Sequence, residues 1–176
     1  MTVHVPALLI VDDNPCDVEL LRDAFTELAI GATFMVAADG VEAITLLKQV
    51  SLGTAERPAA ILLDLNMPRV NGREVLSYIK ATAAIAAIPT IILTSSSSPK
   101  DRAECLEKGA DAYFTKASTL QELEALARQI NGLVAKGPVT KRRQPPASGP
   151  TGGLVGFFAA VWSLAGRPAS GVLRLG

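Results

Sequence analysis

Five residues in this chain could do chemistry together: Asp12, Asp13, Asp64, Thr94 and Lys116. Each ends or directly follows a short apolar run. Asp12-Asp13 follow Ala7–Val11, Asp64 follows Ala60–Leu63, Thr94 closes the run begun at Thr90, and Lys116 comes just after Ala112–Phe114. Three carboxylates brought close together repel one another and raise each other's pKa unless a cation sits among them. A hard dication relieves that repulsion, and oxygen ligands with a few waters suit Mg²⁺. A carboxylate beside such a cation can attack a phosphoryl group in line, with the cation and a lysine neutralising the equatorial charge. The Thr94 hydroxyl can donate to a phosphoryl oxygen. A single aspartate after a strand is ordinarily a helix cap or turn residue, but caps do not require a lysine at another strand end.

Positioning these residues requires a sheet with its strand ends aligned. The apolar runs Ala7–Val11, Thr33–Ala37, Ala60–Leu63, Thr90–Leu93 and Ala112–Phe114 are short and rich in branched or aromatic residues. Runs of this kind suit parallel strands buried on both faces. Between them come helical patterns with start signals. Asn14-Pro15 is an N-cap with proline in the first turn, followed by Asp17 and Glu19 as first-turn acids. Asp39-x-x-Glu42, Asn71-x-x-Glu74, Ser98-Pro99-x-Asp101 and Ser118-x-x-Gln121 have capping-box spacing. Gly31, Gly109 and Gly132 are read as helix stops. Five strands alternating with five helices predict a doubly wound α/β fold, a five-stranded parallel sheet with five flanking helices. Ligands of such sheets bind beyond the carboxyl ends of the strands, where the five residues stand.

Charge divides the chain in two. Residues 1–132 hold all 17 acids and 11 of the 17 bases, a balance of −6, while residues 133–176 hold the other 6 bases and no acid. The net charge of zero therefore describes neither part. The second part is basic and rich in Gly, Pro and Ala, and disorder is its expected state. Two readings of it stand: a basic arm with a short apolar end at Leu154–Ala165, or an extension without function, which its composition favours. No DNA-binding helix pair is found there. The single histidine, His4, argues against a His-based triad or a multi-histidine metal site, and it lacks the surroundings of a phosphoryl donor. Two cysteines without a CxxC exclude a disulfide framework and fit a reducing compartment. Cys16 and Cys105 are both read as packing residues. No secretory signal and no apolar span of membrane length is seen, so a cytoplasmic location is expected. A Walker loop is absent, as is a GxGxxG turn after the first strand.

Residues 5–131 resemble a response-regulator receiver domain, the phosphoacceptor half of a two-component system. The matching text is Val11-Asp12-Asp13-Asn14, Leu63-Asp64-Leu65-Asn66-Met67-Pro68 with Asn71-Gly72 after it, Ile92-Leu93-Thr94-Ser95, and Tyr113-Phe114-Thr115-Lys116. The resemblance implies a flavodoxin-like receiver fold. Asp64 would be phosphorylated. Asp13 and Asp64 would bind Mg²⁺ with the backbone carbonyl of Asn66, and Asp12 would act through water or as a second carboxylate. Lys116 would pair with the phosphoryl group, Thr94 would move toward it, and Tyr113 would turn inward with Thr94. The source of phosphate would be a sensor histidine kinase. The text Asn14-Pro15-x-Asp17-x-Glu19-Leu20 and that around Asn66–Leu76 is similar to small regulators that partner phytochrome-type kinases. Family members often pair as homodimers through the fourth helix, fifth strand and fifth helix.

One departure stands out. Receivers usually carry proline after the lysine, with a cis bond between them, and here Ala117 follows. A cis bond before a non-proline residue costs roughly 2.5–4 kcal/mol, so a trans bond with a reshaped loop is expected. The reading is a stand-alone phosphorelay regulator rather than an enzyme. Two rival readings stand beside it. An aspartate-nucleophile phosphatase needs a second Asp two residues after Asp64, where Asn66 stands. A non-catalytic adaptor with this fold would be expected to have lost part of the five-residue set.

Overall fold

The computed structural model describes residues 5–136. The elements run in strict alternation: β1 (Ala7–Val11), α1 (Pro15–Glu27), β2 (Thr33–Ala37), α2 (Gly40–Ser51), β3 (Ala60–Leu63), α3 (Gly72–Ala81), β4 (Thr90–Thr94), α4 (Pro99–Glu107), β5 (Ala112–Thr115) and α5 (Leu120–Ala135). All strands are parallel, in the order β2-β1-β3-β4-β5. This is the expected doubly wound sheet, and the strand order reverses between β1 and β3, where such sheets bind ligands.

Alternation along the strands builds two cores. Leu8, Ile10, Leu62, Ile91 and Leu93 face α1 and α5, packing with Val18, Leu21, Phe25, Leu126 and Ile130. Leu9, Val11, Ile61, Leu63 and Ile92 face the other way, with Leu47, Val75, Leu76, Ile79 and Cys105 from α2, α3 and α4. A one-residue slip would exchange these faces, so the register is strongly specified. β1, β3 and β4 are buried throughout, as expected. The outer strands differ: β2 and β5 keep exposed or half-buried positions, because the helices cover the middle of the sheet and leave its margins partly open.

Several helix ends depart from the sequence reading. α1 stops at Glu27, well before Gly31. It closes with Ile30 N–H donating to the Phe25 carbonyl and Ala29 N–H to that of Thr26, with Ala29 at φ 52°. That is a Schellman closure, which usually recruits glycine; here alanine takes the left-handed position. α4 ends as expected, with Gly109 at φ 100°. The cap of α5 is Thr119 with Glu122 in a full capping box, one residue after the expected Ser118–Gln121 pair. α5 then continues through Gly132 to Ala135, past the expected boundary at 132, because Leu133 and Val134 still pack against the core. Cys16 is exposed rather than packed, while Cys105 is buried as expected. The peptide bonds of the described residues are all trans, including Lys116–Ala117. His4 and the tail beyond residue 136 lie outside the described residues. Among the described residues, no helix is long and apolar enough to cross a membrane.

Candidate functional site

Register decides where the polar strand ends meet. Val11 lies opposite Leu63, so Asp12 and Asp64 leave neighbouring strands at one level. Asp64 N–H donates to the Val11 carbonyl at 2.9 Å. Thr94 lies opposite Thr115, and Lys116 N–H donates to the Thr94 carbonyl at 2.9 Å. Asp12, Asp64 and Thr94 are buried, whereas Asp13 is exposed. Asp12, Asp13 and Asp64 each offer a carboxylate oxygen, and these oxygens all lie within 4.8 Å of one another. Such a set of hard oxygen donors fits an oxygen-preferring dication.

Lys116 neutralises part of this cluster. Its Nζ lies 2.9 Å from Asp12 Oδ2, 2.9 Å from Asp64 Oδ2 and 2.7 Å from Asp17 Oδ2. Burial works against its charge, but its hydrogen bonds to Asp17, Asp12 and Asp64 outweigh that and hold the ammonium above the ordinary lysine range. For Asp12 the balance is reversed. Burial pushes its carboxyl up, against the lowering effects of the Lys116 hydrogen bond and of Asn14 N–H, which donates to Asp12 Oδ1 at 3.0 Å.

Around Asp64 the loop into α3 is drawn tight. Asp64 Oδ1 accepts from Asn66 N–H at 3.2 Å. Gly72, the first residue of α3, comes so close that a Cβ there would lie 2.0 Å from the Asp64 carbonyl oxygen. Asn71 and Glu74 then cap the helix reciprocally. Only glycine allows this approach, and the approach fixes the backbone that carries the central carboxylate.

On the far side stands a set of hydroxyls. Thr94 Oγ1 accepts from Asn66 Nδ2 and from Ser96 N–H, each at 3.3 Å. Tyr113 is buried with its ring inward, and its hydroxyl donates to the Ser96 carbonyl at 2.9 Å. Arg102 donates to the Tyr113 carbonyl at 3.0 Å and lies over the ring. Ser96 Oγ donates to Asp101 Oδ2 at 2.7 Å, which holds that carboxyl below the usual carboxylate range. Asp101 in turn pairs with Arg73 of α3 at 2.8 Å.

The structure thus brings Asp12, Asp13, Asp64 and Lys116 together, with Thr94 joined through Asn66. Tyr113 is joined to Thr94 only through Ser96. Sequence reasoning missed two members. Asp17 was read as a first-turn acid, yet its carboxylate binds Lys116. Ser96 has no role in the sequence reading, yet it connects Thr94, Tyr113 and Asp101. The only available signal for Asp17 was its place at the third helical position, a common place for an acid.

Known proteins are similar to this chain over the region that carries the site. Response regulator Rcp1 of Synechocystis sp. is 32% identical over 124 residues, spanning 70% of this chain and 84% of that protein. The probable methanogenesis regulatory protein FilR2 of Methanothrix harundinacea is 32% identical over 123 residues, 70% of this chain and 79% of that protein. Among solved structures, the phosphorylated cyanobacterial phytochrome response regulator RcpA matches with a TM-score of 0.66 at 31% identity, covering 72% of this chain and 91% of that one. The Mn²⁺-bound form of Rcp1 matches with a TM-score of 0.65 at 31% identity, covering 73% and 93%. The family model for the response regulator receiver domain matches residues 8–128, well over half of the chain and the whole of the strand-end cluster. On the sheet order, the cluster and these matches together, the chain belongs to the response regulator receiver domain family, the receiving component of phosphorelay signalling.

Proposed function

We propose that Asp64 accepts a phosphoryl group from a phosphohistidine on a sensor histidine kinase, and that the chain signals through the surface change that follows. One observation carries this reading: a buried carboxylate at the end of a central strand accepts a hydrogen bond from Lys116 Nζ and lies within 4.8 Å of two further aspartates. In the reaction, an Asp64 oxygen bonds to phosphorus as the phosphorus–nitrogen bond breaks, and the histidine nitrogen leaves with the electron pair. Lys116 pairs with the charge that develops on the phosphoryl oxygens. Asp13, Asp64 and the Asn66 carbonyl would hold Mg²⁺ directly, with Asp12 acting through water or as a second carboxylate. When bound, the ion neutralises the carboxylates and the equatorial oxygens. The chain thereby assists its own phosphorylation and, with water in place of the carboxylate, its dephosphorylation.

Signalling follows from the hydroxyl side. The Thr94 hydroxyl donates to a charged phosphoryl oxygen, and in moving there it gives up the two long hydrogen bonds that its Oγ1 accepts from Asn66 and Ser96. Its departure alters the support under Ser96, and through it Tyr113 and α4. The solved relative RcpA, a phytochrome response regulator by name, supports a phytochrome-type kinase as partner, and the reading includes a cytoplasmic location. The reading includes homodimers formed through α4, β5 and α5, where β5 is an edge strand of the sheet among the described residues.

The test is incubation with a small phosphoryl donor and Mg²⁺, followed by intact-mass measurement. A single phosphoryl adduct on the wild type that disappears in Asp64→Ala is expected. No wild-type adduct, or an equal adduct on the variant, rejects the reading.

A further inference from the structure

Asp17 has a partner unusual for its place in a helix. It is the third helical residue of α1, where an acid ordinarily reaches back to the cap's own N–H. Glu74 does this to Asn71 at 2.9 Å, and Glu122 to Thr119 at 3.3 Å. In α1 the corresponding N–H, that of Asn14, is taken by Asp12 at 3.0 Å. The Asp17 carboxylate instead meets Lys116 Nζ at 2.7 Å, the shortest of the ammonium's three contacts. Asp17 is not one of the three aspartates whose oxygens converge.

The consequence is electrostatic and rests on the cation-holding part of the function proposed above. A dication among Asp12, Asp13 and Asp64 competes with Lys116 for oxygens of Asp12 and Asp64, and the two cations repel. The Lys116 side chain is only 18% exposed. Leaving its ammonium there without a counter-ion would be costly. Asp17 offers a counter-ion outside the converging set, already in contact. We propose that Asp17 is a positioning residue: it takes over the Lys116 ammonium when a divalent cation binds Asp12, Asp13 and Asp64, so that cation binding and the Asp17–Lys116 pair are coupled.

A double-mutant cycle on the full chain tests this, with Mn²⁺ as probe and the free-ion EPR signal as readout. With Lys116 present, Asp17→Asn should weaken Mn²⁺ binding by about tenfold, within the usual range of coupling between sites. In Lys116→Met, the same change should matter by less than about twofold, because no ammonium remains to be held. Asp17→Glu should recover most of the affinity. An equal loss in both backgrounds, or no loss in either, overturns the proposal, since Asp17 would then act as bulk charge or not at all. A measurement on the wild type alone guards against variants that do not fold. The Lys116 Nζ resonance should stay protected from solvent exchange as Mg²⁺ is added, and loss of protection overturns the proposal. The two readings fail separately. Coupling without an Asp64 adduct rejects the phosphoacceptor reading alone, and an adduct without coupling rejects only the role of Asp17.

Discussion

The two flanks of Asp64 are built from different interactions. Toward α1 and β5, the contacts are ionic and short: Lys116 lies within 2.7–2.9 Å of three carboxylates. Toward β4 and α4, the contacts of Thr94 are neutral and long, both at 3.3 Å. Charge-assisted hydrogen bonds are roughly twice as strong as neutral ones. The ionic flank therefore keeps its lysine in place, and the hydroxyl flank is the one that yields when the phosphoryl group arrives. The hydroxyl flank also leads outward, from Ser96 to Tyr113 and through Asp101 to Arg73. A rigid flank suits binding and a yielding flank suits signalling.

Substitutions on the two flanks should differ in size. The largest effect is expected from Lys116→Met, which should slow formation of the Asp64 adduct by about 100-fold, the usual loss when one charge-stabilising donor is removed. Thr94→Ala should slow it by only about tenfold, since a neutral hydrogen bond is worth on the order of 1 kcal/mol. Time courses by intact mass measure both, and equal losses would erase the contrast between the flanks.

Next in size is Gly72→Ala. The added Cβ would lie 2.0 Å from the Asp64 carbonyl oxygen, so the backbone between β3 and α3 must shift. A loss of about 1–3 kcal/mol in urea unfolding is expected, as for other overpacked sites, together with slower adduct formation. Unchanged stability and rate would show that the close approach does not position Asp64.

The ionic flank also predicts a pH dependence. The folded protein holds Lys116 above the ordinary lysine value of 10.5, so its charged pairing stabilises the fold fully below that value. This contribution is lost as pH rises through the higher folded value. The difference in melting temperature between wild type and Lys116→Met should accordingly stay level at neutral and mildly alkaline pH and shrink above about 10.5. A difference that shrinks by pH 8 would place the stabilisation elsewhere.

The smallest effect belongs to Tyr113→Phe. It removes the bond to the Ser96 carbonyl but keeps the buried ring, and it should cost about 1 kcal/mol of stability. Adduct formation should stay within about threefold of the wild type, because Tyr113 reaches Thr94 only through Ser96. A larger loss of rate would mean that the hydroxyl flank is stiffer than its distances indicate.

Much of this is legible in the amino-acid sequence. Short apolar runs declared the strands, and the polar residues ending them marked the site. Ser98 and Asn71 announced their helices correctly. The rest turned on competition that a linear reading cannot see. The α5 cap moved by one residue because Thr119 and Glu122 satisfy two N–H groups together. Gly132 did not stop α5, since Leu133 and Val134 gain more from packing than the glycine costs. α1 ended early at Glu27, with Ala29 in the left-handed position of its closure, because Ile30 had to turn back toward the core.

Taken alone, the amino-acid sequence determined the alternating architecture, the sheet end that carries the acids and lysine, and the division of charge at residue 132. These follow from periodicity, capping and composition, which are local properties. Tertiary structure alone decided which carboxylates share the lysine. Asp17 and Lys116 are 99 residues apart and meet only because α1 and β5 converge at the same end of the sheet. It also decided that Ser96 joins Thr94 to Tyr113, and that the first residue of α3 lies against Asp64. Such contacts depend on strand register and helix packing, and no local pattern encodes a distance between residues so far apart in the chain.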